Sequence, residues 1–413
     1  MAKILITVPP LAGHVNPALS VASELRRRGH EVAWAAHTQF IPDLLPEDAE
    51  VWPLPMQSSF DSGKRSSAVR GLESVKFFYE EFCLPLARAS LLPLQEVVQA
   101  MQPDLMICDH QMIAGALVAR AVGCPWLTFA STNVSILKMS EVVDKWVEQQ
   151  FAELQRDYGV PVLARPDFSP YGVIVFSSEA LLDGRYAYYE APYRFVGPAF
   201  THRQMAIEFP WQELRRDTAK ILISLGTVSR DRGMRFYEVM MSALEDLQLR
   251  DGYLPYRHLQ VVMVAPEELR AGAPRNFIVR PRVPQVTLLA HMDAVLCHAG
   301  HNTVCEALSF GLPLIVAPIR DDQPIVARQV IDAGAALHLR YGKVTVASAR
   351  TAVEELFHKA EYRDNALRLK KSFESLGGAR HAANLVEETL SREDCAAGSR
   401  PNLVRPGVSR AMG

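Results

Sequence analysis

Apolar residues fall along this chain in short compact runs, each separated from the next by an amphipathic stretch. The first run is "KILITV" (3–8), followed by the loop "PPLAGHVN". "PALSVASELRRRGH" is then apolar at helical spacing, and "EVAWAAH" is a second compact run. Asn16 suits a helix N-cap and Pro17 a first helical residue. Arg26 to Arg28 complement the negative helix end, and Gly29 stops it. Unbroken apolar strands alternating with helices predict β-α-β units and a parallel sheet covered on both faces.

The pattern recurs at "DLMICD" (104–109), a helix over 112–122, and "PWLTFA". Between these units lie the polar stretch 56–71, read as a mobile acceptor-side loop, and the aromatic "FFYEEFCLPL". A second helical insertion carries Trp146 and Phe151; these aromatics line an apolar cleft or pack in the core. The strand signal lapses over 201–219, which reads as a linker, and restarts with "ILISLGT", "LQVVMVA", "FIVRPRV", "AVLCHAG" and "LPLIVAP". The expected organisation is α/β: two doubly wound Rossmann-like domains, 1–200 and 220–392, with a disordered tail over 393–413.

Composition narrows the class. A formal net charge of -2 over 413 residues leaves no electrostatic argument for nucleic acid. Six scattered cysteines without a C-x-x-C pair point to reduced thiols in a cytoplasmic enzyme rather than a metal or disulfide framework. The N-terminal run is too short for a secretory signal, and no apolar run approaches the ~18 residues of a membrane span.

Candidate chemistry gathers at the strand ends. "HAGHN" joins the strand "AVLC" to the helix "TVCEALSFG" at the C-terminal edge of a parallel sheet, where doubly wound folds bind ligands. Its helix start suits phosphate, and Gly300 permits close backbone approach. Asn302 and Thr303 serve equally well as helix caps or as donors to a phosphate oxygen. Glu306 lies one turn past Asn302 on the same face. A carboxylate there repels phosphate but fits two adjacent ribose hydroxyls, so the pair of features spells a nucleotide. "SLGT", "RPRVPQ" and "PIRDDQP" end neighbouring strands at the same edge. The adjacent Asp321 and Asp322 would point apart, which disfavours a metal.

Taken together, Pro284-Gln285, His298-x-Gly300-x-Asn302-Thr303-x-x-Glu306, Gly311-x-Pro313 and Asp322-Gln323 resemble, in order, the signature of the UDP-glycosyltransferase superfamily. These are inverting glycosyltransferases of GT-B fold, with two Rossmann-like domains facing across a cleft. The N-terminal "GHVNP" also fits that family's first loop, so the resemblance spans the chain. It implies a donor site of His298, Gly300, His301, Asn302, Thr303 and Thr227 at the diphosphate. It also implies Glu306 at the ribose, Arg282, Val283 and Gln285 at the base or ribose, and Asp322 with Gln323 at the sugar. Arg282 departs from the tryptophan that many plant members carry there; a guanidinium also stacks on a flat base.

In the first half the resemblance implies His14 as general base and Asp109 as its partner. Read alone, His14 is also a structural residue near a helix start, and Asp109 a cap. The expected reaction moves a hexose, glucose, from a UDP-sugar to a hydroxyl of a lipophilic natural product, with no metal or further cofactor. The protein is expected to be a monomer or homodimer without an integral membrane segment. Its rivals are a dTDP-deoxysugar transferase, a carotenoid glucosyltransferase, a UDP-N-acetylhexosamine 2-epimerase, and a catalytically silent helper subunit.

Overall fold

The computed structural model describes residues 1–37, 45–55, 72–182, 187–200, 207–226, 233–249 and 252–392. Thr227, the stretch 56–71, the tail 393–413 and the linker's first residues, 201–206, lie outside them.

The first unit holds seven strands: β1 Lys3–Thr7, β2 Glu31–Ala36, β3 Glu50–Pro53, β4 Leu105–Asp109, β5 Trp126–Ala130, β6 Val173–Val175 and β7 Tyr193–Phe195. They run in the order β3-β2-β1-β4-β5-β6-β7, and every pairing is parallel. Alternation along each strand sends side chains to opposite faces. Ile4 and Ile6 join the cluster under the helix Ala12–Arg27, while Leu5 and Met106 join the one under the helices Leu84–Met101 and Ile113–Val122.

The second unit repeats the arrangement with six strands: β8 Ala219–Ser224, β9 Leu259–Val264, β10 Phe277–Arg280, β11 Ala294–Cys297, β12 Leu314–Val316 and β13 Ala336–His338. Their order is β10-β9-β8-β11-β12-β13, again parallel throughout. In each sheet the strand order reverses beside the unit's first strand, between β1 and β4 and between β8 and β11. These are the two doubly wound, parallel-sheet α/β units expected from the sequence, and no helix among the described residues is long and apolar enough to cross a membrane.

Three expectations need correction. The first helix begins at Ala12, not Pro17, so Asn16 is not its cap and Pro17 sits inside it. Leu11 precedes it in extended conformation, and the His14 and Val15 N–H groups donate to the Leu11 carbonyl at 2.9 and 3.0 Å. Next, the C-terminal segment does not belong with 220–392. Among the described residues the first unit comprises those of 1–176, 187–199 and 377–392, and the second those of 177–182 and 200–376. The helix Ala379–Leu390 buries Ala382, Ala383 and Val386 in the same cluster as Val15, Ala18 and Leu25. Arg28 clamps it, donating to Glu387 Oε2 at 2.6 Å and to Asn384 Oδ1 at 2.7 Å. Lastly, 177–182 joins the second unit, where Ser178 and Ser372 share a hydrogen bond of 3.0 Å.

Gly115 sets how closely the helix Ile113–Val122 lies on β1 and β4. A Cβ there would stand 2.5 Å from Thr7 Cγ2 and 2.8 Å from Cys108 Sγ. We expect Gly115→Ala to lower the unfolding free energy of the first unit by about 1–3 kcal/mol, read as an earlier urea midpoint. Gly272→Ala, whose Cβ would meet nothing within 4 Å, should leave the midpoint unmoved or slightly raised.

Candidate active site

In the first unit the crevice lies at the C-terminal ends of β1 and β4, where the chain leaves in opposite directions along the sheet. β1 delivers His14 in the first turn of its helix, and β4 ends on Asp109. His14 Nδ1 stands 2.9 Å from both Asp109 carboxylate oxygens. Both side chains are buried. The Ser131 hydroxyl donates to Asp109 Oδ2, and the Gln111 backbone N–H donates to Oδ1 at 2.9 Å. Asp109 does not cap the next helix, whose N-cap is Met112.

Burial by itself would raise the Asp109 carboxyl. The charges of His14 and His110, with the hydrogen bonds from His14 and Ser131, outweigh it and hold the group below its ordinary 3.8. An ionised carboxylate only accepts, so Nδ1 of His14 carries a proton, and in the neutral ring the lone pair then lies on Nε2. That is the tautomer a general base requires. His110 is buried with its Nδ1 3.3 Å from the Phe129 carbonyl and 3.5 Å from Asp109 Oδ1. Burial pulls its pKa down against the Asp109 charge.

One set of donor atoms from His14, Asp109 and His110 lies within 4.8 Å of one another. Zinc bonds of ~2.1 Å hold ligand atoms no more than ~4.2 Å apart. The set would have to close to hold an ion, and its carboxylate already accepts three donors.

The second unit builds its crevice in the same way, at the ends of β8 and β11. After β11 the chain turns through Ala299, which adopts φ +64°, to the N-cap Gly300 and the helix His301–Ser309. Gly300 brings no side chain to the first-turn N–H groups, and Asn302 and Thr303 are the second and third helical residues rather than caps. The His298 ring is wedged between two glycines. A Cβ at Gly226 would lie 2.6 Å from its Cε1, and one at Gly300 2.5 Å from its Nε2. Only glycine at both positions leaves the ring where it is.

Glu306, one turn along, is nearly buried and accepts a hydrogen bond of 2.6 Å from Gln285 Nε2. The fold thus joins two motifs 21 residues apart. Val283 is buried beside them in sequence, whereas Arg282 is exposed. His301 is buried, its Nε2 3.6 Å from Cys305 Sγ. Gln323 turns its Oε1 onto the preceding loop, accepting from the Ile319 and Arg320 N–H groups at 2.9 and 3.1 Å. Asp322 is the N-cap residue of the helix Gln323–Asp332. Phe151 packs in the core with Tyr79, and Tyr79 also meets the half-buried Trp146 edge-on.

Sequence reasoning passed over Ser131, although a hydroxyl just past β5, the strand beside β4, was a usable signal.

Residues 220–374 match the family described as UDP-glucoronosyl and UDP-glucosyl transferase. The chain is similar to the NDP-glycosyltransferase YjiC of Bacillus subtilis, 27% identical over 93% of this chain and 96% of the relative. It is 26% identical to the demethyllactenocin mycarosyltransferase of Streptomyces fradiae, over 95% of this chain and 87% of that protein. The solved glycotransferase of kitacinnamycin superposes with a TM-score of 0.76, covering 94% of this chain and 99% of its own at 23% identity. The family match covers residues 220–374, and the full-length similarities are to glycosyltransferases; the chain is a glycosyltransferase of the antibiotic and natural-product type.

The buried carboxylate yields a stability prediction. Because the folded Asp109 carboxyl titrates below the unfolded one, its contribution is complete above about pH 4 and is lost as pH falls through the folded value. We expect Asp109→Asn to destabilise the first unit by about 1–3 kcal/mol at pH 7. The gap between wild type and variant should shrink as pH drops below 4, as measured by chemical unfolding across pH.

Proposed function

We propose that this enzyme transfers glucose from UDP-glucose to a hydroxyl of a lipophilic small-molecule natural product, inverting the anomeric centre. The observation that carries the reading is the His14 imidazole held through Nδ1 by a buried, ionised Asp109. Its Nε2 takes the acceptor proton as the acceptor oxygen bonds to the anomeric carbon. The bond to the diphosphate breaks at the same time, and the electron pair leaves with the nucleotide. Asp109 stabilises the imidazolium that forms. In the second unit the first turn of the helix His301–Ser309, with His298 and Thr303, receives the diphosphate. Asp322 and Gln323 take sugar hydroxyls. No cofactor beyond the nucleotide sugar is part of the reaction.

Glu306 supports a ribose over a deoxyribose. Its carboxylate, oriented by Gln285, is able to accept from both the 2′ and 3′ hydroxyls. A dTDP donor lacks the 2′ hydroxyl and would satisfy half of it. The second reading, a dTDP-deoxysugar transferase, draws on the similarity to a mycarosyltransferase. An epimerase would need further acid and base groups at the sugar, whereas one imidazole–carboxylate pair suits hydroxyl activation.

Thermal shift separates the two donors, since a ligand that binds only the folded state adds about 2.7 kcal/mol at 100 times its Kd. At equal concentration UDP should raise the melting temperature by several degrees more than dTDP, and Glu306→Ala should erase the difference. Equal or greater stabilisation by dTDP in the wild type would give the deoxysugar reading the field.

A further inference from the structure

Two neighbouring strands of the first sheet run out onto the same face. Leu105 and Ile107 on β4, and Leu127 and Phe129 on β5, all join the cluster under the helix Ala12–Arg27. Side chains alternate by twos along a strand, so Asp109 and Ser131 follow on that face, below the helix that carries His14. β4 and β5 pair in parallel with Asp109 opposite Phe129, which leaves Ser131 just past the end of the register. Each row is apolar up to that point and turns polar at the level of the reacting imidazole.

The Asp109 carboxylate is gripped from two sides. Its Oδ1 accepts the Gln111 backbone N–H at 2.9 Å, and its Oδ2 accepts the Ser131 hydroxyl. Both oxygens stand 2.9 Å from His14 Nδ1, so the carboxylate meets the ring evenly. The Gln111 donor is main chain and survives any side-chain change. The Ser131 donor is a side chain on another strand, buried at 3% exposure, and it is the grip that a substitution removes.

A carboxylate that accepts from Ser131 exerts less pull on the proton that His14 gains. Without the hydroxyl, more of the negative charge faces the imidazolium, which then persists to higher pH. The other ionisable groups that feel the Asp109 charge are His110, Cys83 and Cys108. Burial pushes both thiols well up, so they stay neutral, and it pulls His110 down, whose ring centroid is 5.6 Å from that of His14. Asp167 acts on Cys83 and His110, and its Oδ1 accepts from Arg165 Nε at 2.8 Å.

We propose that Ser131 is a positioning residue for the transfer: its hydroxyl fixes the Asp109 carboxylate across His14 Nδ1 and so sets the pH at which the imidazole takes the acceptor proton. This rests on His14 being the base.

The test follows the ring as well as the rate, on the full chain. With the histidine rings isotopically labelled, NMR tracks the His14 signal, identified by its loss in His14→Ala, across pH. Wild type, Ser131→Ala, Ser131→Cys and Ser131→Thr are compared, and initial rates with UDP-glucose and an alkyl alcohol are taken over the same range. We expect the His14 midpoint and the acidic limb of the rate profile to move up together in Ser131→Ala, by about one pH unit. Ser131→Thr, which keeps the hydroxyl, should return the midpoint to that of wild type. Ser131→Cys, a weak donor, should fall between, and it carries the test if the alanine variant does not fold. A midpoint and limb that stay in place or move down, even in a slower variant, would make Ser131 a packing residue and overturn the proposal. A midpoint that moves up in a chain that transfers from no UDP-sugar ends the UDP-glucose reading and leaves the hold of Ser131 on the pair standing.

Discussion

A parallel sheet whose strand order reverses next to its first strand must open a crevice there, because the connections on either side leave in opposite directions. This chain meets that constraint twice, between β1 and β4 and between β8 and β11. His14, Asp109 and His298 sit on or just past those four strand ends. Thr7 and Asp109 close one pair of strands, Ser224 and Cys297 the other. The loops that follow carry His14 and His298 only a few residues further. Backbone pairing along the strands, not loop conformation, therefore sets the spacing of the reactive groups.

The two crevices are electrically unlike. The first is organised around an anion: a buried carboxylate that accepts from an imidazole, a hydroxyl and a backbone N–H, and stays ionised because those donors outweigh burial. Such an arrangement readies an imidazole to accept a proton. The second is organised for an anion to arrive. It presents a helix start without a side-chain cap, a neutral imidazole wedged between glycines, and an arginine folded against the unit. Glu306 is its one nearly buried acid, and Gln285 holds that group one helical turn from the phosphate end. In the proposed reaction, proton acceptance falls to the first unit and diphosphate departure to the second.

Much of this was legible in the sequence, for a physical reason. Central parallel strands are buried on both faces, so β1, β4, β8 and β11 read as unbroken apolar runs, and the residues just past each run stand out. The short strands β3, β6, β7 and β13 have three or four residues each, too few for a periodic signal, and went unread. Asn16-Pro17 is a sound local helix start, yet the helix begins five residues earlier because burial of Val15 and Ala18 favours extending it. The return of the helix Ala379–Leu390 to the first unit is a long-range packing choice, made by Arg28 with Asn384 and Glu387 and by alanines fitting against Val15 and Leu25. No window of local sequence reveals it. Ser131 escaped because its contact with Asp109 comes from a neighbouring strand that only the sheet order brings alongside.

The central claim is that His14 acts as a base and not as a structural residue. Transfer to an alkyl alcohol requires that base, whereas transfer to a nitrophenol already ionised at the working pH does not. Initial rates with UDP-glucose and both acceptors, for wild type and His14→Ala, decide it. The account predicts that the variant loses about 10²- to 10⁴-fold toward the alcohol and stays within about tenfold toward the phenolate, which arrives without a proton to remove. An equal fall with both acceptors, or no fall with either, would contradict it.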